Sequence, residues 1–273
     1  MLGKLLKHEF RATGRIMLPM MGALLAMALL ANLSIRGLAG GLSDIPALRI
    51  LFILTLVFFG VGIVAVSVMT LVVMVSRFYR NLLKSEGYLM FTLPVSVHGL
   101  IWSKLIVSLV WFFVTGLFIL LIMGLTGLNM ADTSLEMIIS GFPSWSEVLQ
   151  KLDELGIRGA LGEVFSWATL AMLLGAIVSC LHFYGAMALG HMFSRHKVLL
   201  SVVFFVLISM AFNIMEMSFA FGIEDLFFDE NSVREALHFA SRISMYACLM
   251  QLIQGAVLYL ATVLGLKRGL NLE

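Results

Sequence analysis

The chain has 273 residues, of which 61% are hydrophobic and only 12% are charged, and its formal net charge is +2. A soluble domain carries about a quarter charged residues, so this composition excludes a water-soluble globule, which would expose large apolar patches. It also excludes a disordered chain and a disulfide-built scaffold, because apolar residues dominate and both cysteines, Cys180 and Cys248, lie in apolar runs.

Long runs without Asp, Glu, Lys or Arg predict six transmembrane helices. A helix crosses the hydrocarbon core with about 20 apolar residues. The predicted spans cover about residues 16–35, 50–76, 105–127, 164–192, 198–216 and 243–266. The charge-free runs by which the spans are identified contain no charged residue, and the fifth of these runs ends at Met215. The sequence therefore predicts an all-α polytopic membrane protein with one transmembrane domain over residues 1–273.

The distribution of basic residues predicts the orientation of the chain. With a cytoplasmic N-terminus, the cytoplasmic segments hold 12 of the 18 Lys and Arg residues, and the segments 128–163 and 217–242 are extracellular. The positive-inside rule favours this arrangement, which places both termini in the cytoplasm. A signal peptide cleaved near Ala26-x-Ala28 is the alternative, but its apolar run of 20 residues exceeds the usual 7–15, so we expect retention.

The first 15 residues form an amphipathic pattern. At 100° per residue, one arc holds the basic residues Lys4, Lys7, His8, Arg11 and Arg15, and the opposite side holds Leu2, Leu5, Leu6 and Phe10. Such a helix is expected to lie in the membrane interface with its basic side toward anionic headgroups. Glu9 projects from the middle of the apolar side, which indicates a solvated turn, a local ion pair or a contact with another subunit.

A second amphipathic segment follows the second span, within a predicted cytoplasmic loop over residues 77–104. One side holds Arg77, Arg80, Asn81, Lys84 and Ser85, and the other holds Phe78, Tyr79, Leu82, Leu83 and Glu86. Gly87 is expected to end this helix, and Pro94 suits a turn before the third span. The amphipathic pattern by itself leaves two interpretations open: an ordinary loop helix or a docking site for a partner.

The residues of this loop resemble a known family. The stretch Arg77-Phe-Tyr-Arg-Asn-Leu-Leu-Lys-Ser-Glu-Gly-Tyr-Leu-Met-Phe-Thr-Leu-Pro-Val-Ser is similar to the cytoplasmic loop after the second span of small ABC-2-type exporter permeases of Gram-positive bacteria, and residues 86–94 are its most specific part. The amphipathic start, six spans and cytoplasmic ends extend the resemblance more weakly to the whole chain. Within this family the chain looks most like permeases of phenol-soluble-modulin exporters, which move amphipathic peptides.

The resemblance implies a partner and a docking site. In that family the loop forms a coupling helix that seats in a groove of a separate ATPase subunit, which binds ATP and Mg²⁺. The docking residues implied here are Phe78, Tyr79, Leu82, Leu83, Glu86, Gly87 and Tyr88, and Glu9 joins them as the candidate subunit contact on the first segment. The further partners implied are two ATPase copies, a second permease protomer, membrane lipid and an exported amphipathic peptide or other hydrophobic substrate, without nucleic acid, in the bacterial cell membrane.

Sequence motifs for catalysis do not appear. There is no Gly-x4-Gly-Lys-[Ser/Thr] loop, no His-Glu-x-x-His helix and no Gly-x-Ser-x-Gly elbow. His182 and His191 are each expected to be hydrogen-bonded to a neighbouring helix rather than to hold a metal, and no cofactor is expected in this chain. We therefore expect no enzyme activity here and place ATP hydrolysis in the partner. The alternative function is a non-transport membrane protein, such as an immunity factor or scaffold.

Two further patterns concern packing and the extracellular side. The small-residue motifs Gly60-x-Gly62-x-x-Ala65, Ala171-x3-Gly175-x3-Ser179 and Ala261-x3-Gly265 favour close helix contacts, within or between protomers. Ser144-x-x-Glu147 is a capping box that predicts a helix ending near residues 155–156, and Ser232-x-x-Glu235 predicts a second, weaker helix. Many of the 19 methionines lie in spans, as lipid-facing filler or along a path for a hydrophobic substrate.

Overall fold

A computed structural model describes residues 2–39, 45–83, 96–130, 144–193, 195–224 and 233–268. Every regular element in these ranges is a helix. In chain order they are α1 (Leu2–Ala39), α2 (Pro46–Phe78), a π-helical turn (Tyr79–Leu83), α3 (Val97–Met130), α4 (Trp145–Glu154), α5 (Arg158–Gly190), α6 (Lys197–Glu224) and α7 (Val233–Arg268). All but α4 and the π-helical turn are long and apolar enough to cross a membrane, which confirms the predicted all-α polytopic fold.

The helices are longer than the predicted spans. Helix α1 has 38 residues, which at ~1.5 Å per residue gives about 57 Å, nearly twice the hydrocarbon thickness. The amphipathic segment 1–15 is therefore not separated from the first span, although Pro19 inside α1 is a residue at which helices bend. The interfacial position of this segment stays a prediction. The second segment is likewise a direct continuation of α2 up to Leu83.

The helices include charged residues that lie beyond the charge-free runs. Helix α6 continues to Glu224, and its apolar stretch Lys197–Ser218 includes Glu216. Lys104 lies within α3 and is only 3% exposed. Charge-free runs mark where charged residues begin, but a helix continues past a charged side chain when that side chain finds a polar partner inside the protein.

The chain divides into two compact units. Unit 1 comprises the described residues of 1–76 and 106–142, and unit 2 comprises those of 77–105 and 143–273. In unit 1, α1, α2 and the later part of α3 bury two apolar clusters. The first contains Met17, Met21, Val73, Met74, Val107 and Trp111, and the second contains Leu24, Ala28, Ala31, Phe59, Val66 and Ile122.

A fully buried hydrogen bond joins α1 to α3 within this apolar interior. The Trp111 indole Nε1 donates to Thr13 Oγ1 at 2.8 Å, and Thr13 in turn donates to the carbonyl oxygen of Glu9. Both side chains are buried. An indole N–H without a partner would be costly in this environment, so Thr13 satisfies the polar end of a large apolar side chain.

In unit 2, α5 packs against α6 and most extensively against α7. Gly265 of α7 lies so close to α5 that a Cβ atom would stand 2.9 Å from the Cβ of Ala188. Gly175 of α5 similarly faces the Gln251 side chain of α7. The predicted close contacts of these two glycines are confirmed, and they lie within one protomer. Gly62 in unit 1 meets the flexible end of Met27, whereas Gly60 has open space beside it.

The helix start predicted at Ser144 is confirmed, with Ser144 as its N-cap. Ser144 Oγ accepts a hydrogen bond from the backbone N–H of Glu147, and the helix ends at Glu154, followed by Gly156 in a left-handed conformation. Glu235, in contrast, lies in the first turn of α7, so the second predicted extracellular helix is the beginning of the last span. Its proposed cap, Ser232, lies outside the described residues.

Candidate functional site

Of the described ring pairs in unit 2, the one with the shortest centroid distance joins the end of α2 to α5. The rings of Phe78 and Tyr184 stack with centroids 3.9 Å apart and an angle of 7° between their planes. Phe78 is 0% exposed and Tyr184 is 1% exposed. The stack therefore fixes the position of the chain at residue 78 relative to the helix that carries Tyr184.

A second contact lies beside the stack, at the end of α5. The Tyr79 ring meets the His191 ring edge-on, with centroids 5.3 Å apart. His191 is the C-cap residue of α5, and its Nδ1 lies 2.8 Å from the carbonyl oxygen of Met187. Burial lowers the pKa of His191; its hydrogen bond to the Met187 carbonyl works against this shift, and the charge of Lys197 adds to it. The imidazole is therefore neutral near pH 7, as suits a buried aromatic partner.

The segment of residues 77–83, here named the α2 extension, has one buried and one open side. Leu82 is fully buried and Leu83 is 5% exposed, as expected for the apolar side that the sequence predicts. Arg80 is exposed, and Tyr79 and Asn81 are half-buried. The extension ends in a single π-helical turn from Tyr79 to Leu83, a geometry that often occurs at functional sites.

The predicted docking residues thus fall into three groups. Phe78, Leu82 and Leu83 pack inside the protein and leave almost no side-chain surface for a partner. Tyr79 is partly accessible. Glu86, Gly87 and Tyr88 lie outside the described residues, so their docking role stays a prediction.

Glu9 is buried, with 6% of its surface exposed. The interpretation of Glu9 as a solvated turn is therefore wrong. Hydropathy alone cannot distinguish a carboxylate that points to water from one that is covered by the protein, because both interrupt the apolar side in the same way. The basic arc of the same segment behaves as predicted: the side chains of Lys4, Lys7, His8, Arg11 and Arg15 are all exposed.

The sequence did not reveal Tyr184 and His191 as partners of the α2 extension. Tyr184 lies in an apolar run next to the small residues of Gly185-Ala-Met-Ala-Leu-Gly190. Small residues predict that another helix packs closely here, but they do not indicate which helix it is. The prediction that His182 bonds to a neighbouring helix is confirmed, because its Nε2 lies 3.2 Å from both the Phe205 carbonyl oxygen and Ser209 Oγ on α6. The same prediction is wrong for His191, whose Nδ1 bonds instead to the Met187 carbonyl oxygen one turn earlier on α5.

Among the described residues, no group of three or more His, Cys, Asp and Glu side chains is placed to hold a metal ion. The first two helices share an apolar groove in unit 1 whose lining includes Met20, Met27 and Met69.

Comparison of the chain with protein-family models, curated proteins and solved structures found no match.

Proposed function

We propose that this chain is the permease subunit of an ATP-driven ABC exporter that moves a hydrophobic or amphipathic substrate, with peptides as the first choice. The observation that carries this proposal is the α2 extension. Its buried side is stacked on α5 through Phe78 and Tyr184, and its other side exposes Arg80. A segment that is rigidly tied to a membrane helix and open on its far side is suited to receive a force from a partner.

The mechanism follows from the contacts of α5 in unit 2. A partner that displaces Tyr79, Arg80 or the adjoining residues 84–88 would push on the Phe78–Tyr184 stack and thus on α5. Because α5 packs along both α6 and α7, these three helices would move together. ATP would change the equilibrium between inward-open and outward-open states only through its differential affinity for the two, exerted by the partner that binds it.

The assembly contains two permease protomers and two ATPase subunits, with both termini of each permease in the cytoplasm. ATP and Mg²⁺ are bound by the ATPase, since this chain has no Gly-x4-Gly-Lys-[Ser/Thr] loop. The basic arc of α1 faces the cytoplasmic headgroups, where anionic lipid stabilises it by about 1 kcal/mol per Lys or Arg. The substrate is apolar or amphipathic, because the spans are lined mainly by aliphatic and aromatic side chains.

Affinity purification from native membranes in a mild detergent tests the proposal. We expect an ATPase that contains a P-loop to co-purify with the wild-type chain at about equal stoichiometry. The Arg80→Glu variant reverses an exposed charge on the α2 extension and should reduce ATPase retention at least tenfold. Arg11→Glu reverses an exposed charge on α1 and is the matched control, with retention near the wild-type level. A wild-type chain that purifies without any P-loop ATPase would favour the scaffold interpretation and contradict the proposal.

A further inference from the structure

The apolar groove of unit 1, here named the α1–α2 groove, is open on the outer surface of the two helices. Its volume is about 240 Å³. Leu24 and Val66 are its buried residues, and the exposed small residues Ala23 and Ala65 lie at its edges. The other lining residues are Met20, Met27, Gly62 and Met69. Because alanines form the edges, a molecule beside α1 and α2 can enter the groove from the side.

The groove lies in the half of the membrane that adjoins the basic part of α1. Arg15 is the last basic residue before the charge-free run that begins at Ile16. Met20 follows Arg15 by ~8 Å along the helix, and Met27 follows it by ~18 Å. One leaflet contributes about 15 Å of a hydrocarbon core of ~30 Å. With Arg15 at the boundary of the core, the groove opens to the acyl chains of a single leaflet.

The size and chemistry of the groove favour a single hydrocarbon chain as its occupant. The lining side chains contain no nitrogen or oxygen atom, so a water molecule would find no side-chain hydrogen-bond partner there. A cavity of about 150 Å³ holds the six carbons of benzene, so 240 Å³ corresponds to about ten carbons of an acyl chain. A helix with a diameter of ~10 Å fills roughly 800 Å³ over a length of ~10 Å and is too large to enter.

The basic arc of α1 provides the charge for a headgroup beside the groove. Arg11, Arg15, Pro19, Ala23 and Met27 follow one another at every fourth residue, and such rows form ridges on a helix surface. The side chains of Arg11 and Arg15 are exposed. Arginine binds phosphate oxygens through paired, charge-assisted hydrogen bonds. A phosphate held at Arg15 is therefore connected along one ridge to the edge of the groove at Ala23, ~12 Å further.

Pro19 adds a hydrogen-bond acceptor at the same level. A proline inside a helix has no N–H to donate to the carbonyl oxygen four residues earlier, which in α1 belongs to Arg15. The headgroup of phosphatidylglycerol combines a negative phosphate with hydroxyl donors for such an oxygen. The headgroup of phosphatidylcholine carries no net charge and no hydrogen-bond donor. The surroundings of Arg15 therefore favour an anionic headgroup that contains hydroxyl groups.

We propose that unit 1 binds an anionic phospholipid, with its phosphate at Arg11 and Arg15 and one acyl chain in the α1–α2 groove. The arginines select the headgroup, and the groove fixes the chain, so the two parts together distinguish this lipid from those that surround the helices elsewhere. An empty groove would leave its lining without packing partners on one side. The proposal involves no ATPase and is independent of the proposed exporter function.

Native mass spectrometry of the purified full-length chain tests the headgroup assignment. The chain is released from nanodiscs that contain equal amounts of phosphatidylglycerol and phosphatidylcholine with identical acyl chains. We expect one retained lipid per chain and a preference for phosphatidylglycerol of at least about tenfold. Arg15→Gln should reduce this preference about fivefold, the effect of one basic residue near anionic lipid. Lys4→Gln removes an exposed charge ~16 Å before Arg15 along α1 and should preserve the preference.

A variant that fills the groove tests the position of the acyl chain. Ala65→Phe introduces a ring into the groove from an exposed position and should abolish the retention of lipid. Val64→Phe adds the same ring to α2 outside the groove lining, where Val64 is 62% exposed, and should retain the lipid. Unfolding temperatures of the two variants show whether both keep the fold. If Ala65→Phe is less stable, the wild type is photolabelled with phosphatidylglycerol that carries a diazirine in the middle of one chain. Labels should then lie within residues 20–27 or 62–69.

Four outcomes would overturn the proposal. The first is equal retention of the two lipids by the wild type, and the second is an undiminished preference in Arg15→Gln. The third is wild-type lipid retention in a folded Ala65→Phe variant, or photolabels that lie outside the groove. The fourth is a dimer of the wild-type chain that Ala65→Phe dissociates while lipid retention stays unchanged, since a second copy would then occupy the groove.

Discussion

The two units of this protein use similar residues in different ways. Unit 1 buries aliphatic, methionine and aromatic side chains in two apolar clusters, and hydrogen bonds from Trp111 to Thr13 and from Asn32 to Thr126 join α1 to α3. Unit 2 brings the α5 and α7 backbones close together at Gly265 and adds aromatic stacks and polar pairs. The difference indicates that the first unit is held by adaptable side chains, whereas the second is built for fixed contacts that can transmit a displacement.

The largest expected effect comes from breaking the aromatic stack of unit 2. Phe78→Ala removes a fully buried ring that packs on Tyr184, so we expect a loss of about 3–5 kcal/mol in the free energy of unfolding, typical of buried Phe→Ala changes. Thermal unfolding of the purified chain, followed by size-exclusion chromatography, measures it. Phe113→Ala is the control, because Phe113 is exposed on α3. Equal losses in the two variants would contradict the anchor role of Phe78.

Next in size is the backbone contact of unit 2. Gly265→Ala places a Cβ 2.9 Å from the Cβ of Ala188, and such overpacking typically costs about 1–3 kcal/mol. Gly60→Ala is the matched change in unit 1, where the added Cβ meets open space. There we expect no loss or a gain of about 0.5–1 kcal/mol, since alanine favours the helix. If both variants unfold at the wild-type temperature, the α5–α7 contact is looser than the structure indicates.

Gly265 and Gly60 show which features of the packing could be predicted from the sequence. Both belong to small-residue motifs in apolar runs, and the motifs predicted close packing equally for each. Only the structure shows that Gly265 is in close contact and Gly60 is not. A small-residue motif indicates that another helix can approach, but not whether one does. The spans, the Ser144 cap and the basic arc of α1 could be predicted, since each depends on local periodicity or spacing.

The candidate site was only half predictable for the same reason. The amphipathic pattern of residues 77–83 identified the segment and its apolar side, but a pattern is the same whether that side meets lipid, a partner or the protein's own α5. The burial of Phe78 depends on its stack with Tyr184, more than 100 residues later in the chain.

A smaller effect is expected from the hydrogen bond of unit 1. Thr13→Val keeps the shape of the side chain but leaves the Trp111 indole N–H without its acceptor, which should cost about 1–2 kcal/mol. Trp111→Phe removes the donor, and the double variant completes a mutant cycle. We expect a coupling energy of about 1 kcal/mol between the two positions. A coupling energy near zero would mean that the bond does not contribute to holding α1 against α3.

The smallest effect is expected from pH at the end of α5. Burial lowers the pKa of His191 below its ordinary value of 6.5, so the folded protein favours the neutral imidazole. Stability from this residue is therefore present above about pH 6.5 and is lost as the pH falls, by at most ~1.4 kcal/mol per pH unit. Unfolding temperatures at pH 8 and pH 5.5 should differ more for the wild type than for His191→Gln. Identical pH profiles of the two proteins would contradict the assignment of this pH dependence to His191.

Photo-crosslinking from defined positions tests the central claim most directly. A crosslinking amino acid is placed at position 80, on the open side of the α2 extension, or at position 155, where Leu155 is exposed just before α5. Position 155 lies at the opposite end of α5 from His191, ~50 Å away along a helix of 33 residues. We expect a crosslink from position 80, but not from position 155, to a P-loop ATPase in native membranes, with a yield that changes when ATP is added. No ATPase crosslink from position 80, or an equal yield from both positions, would contradict the account.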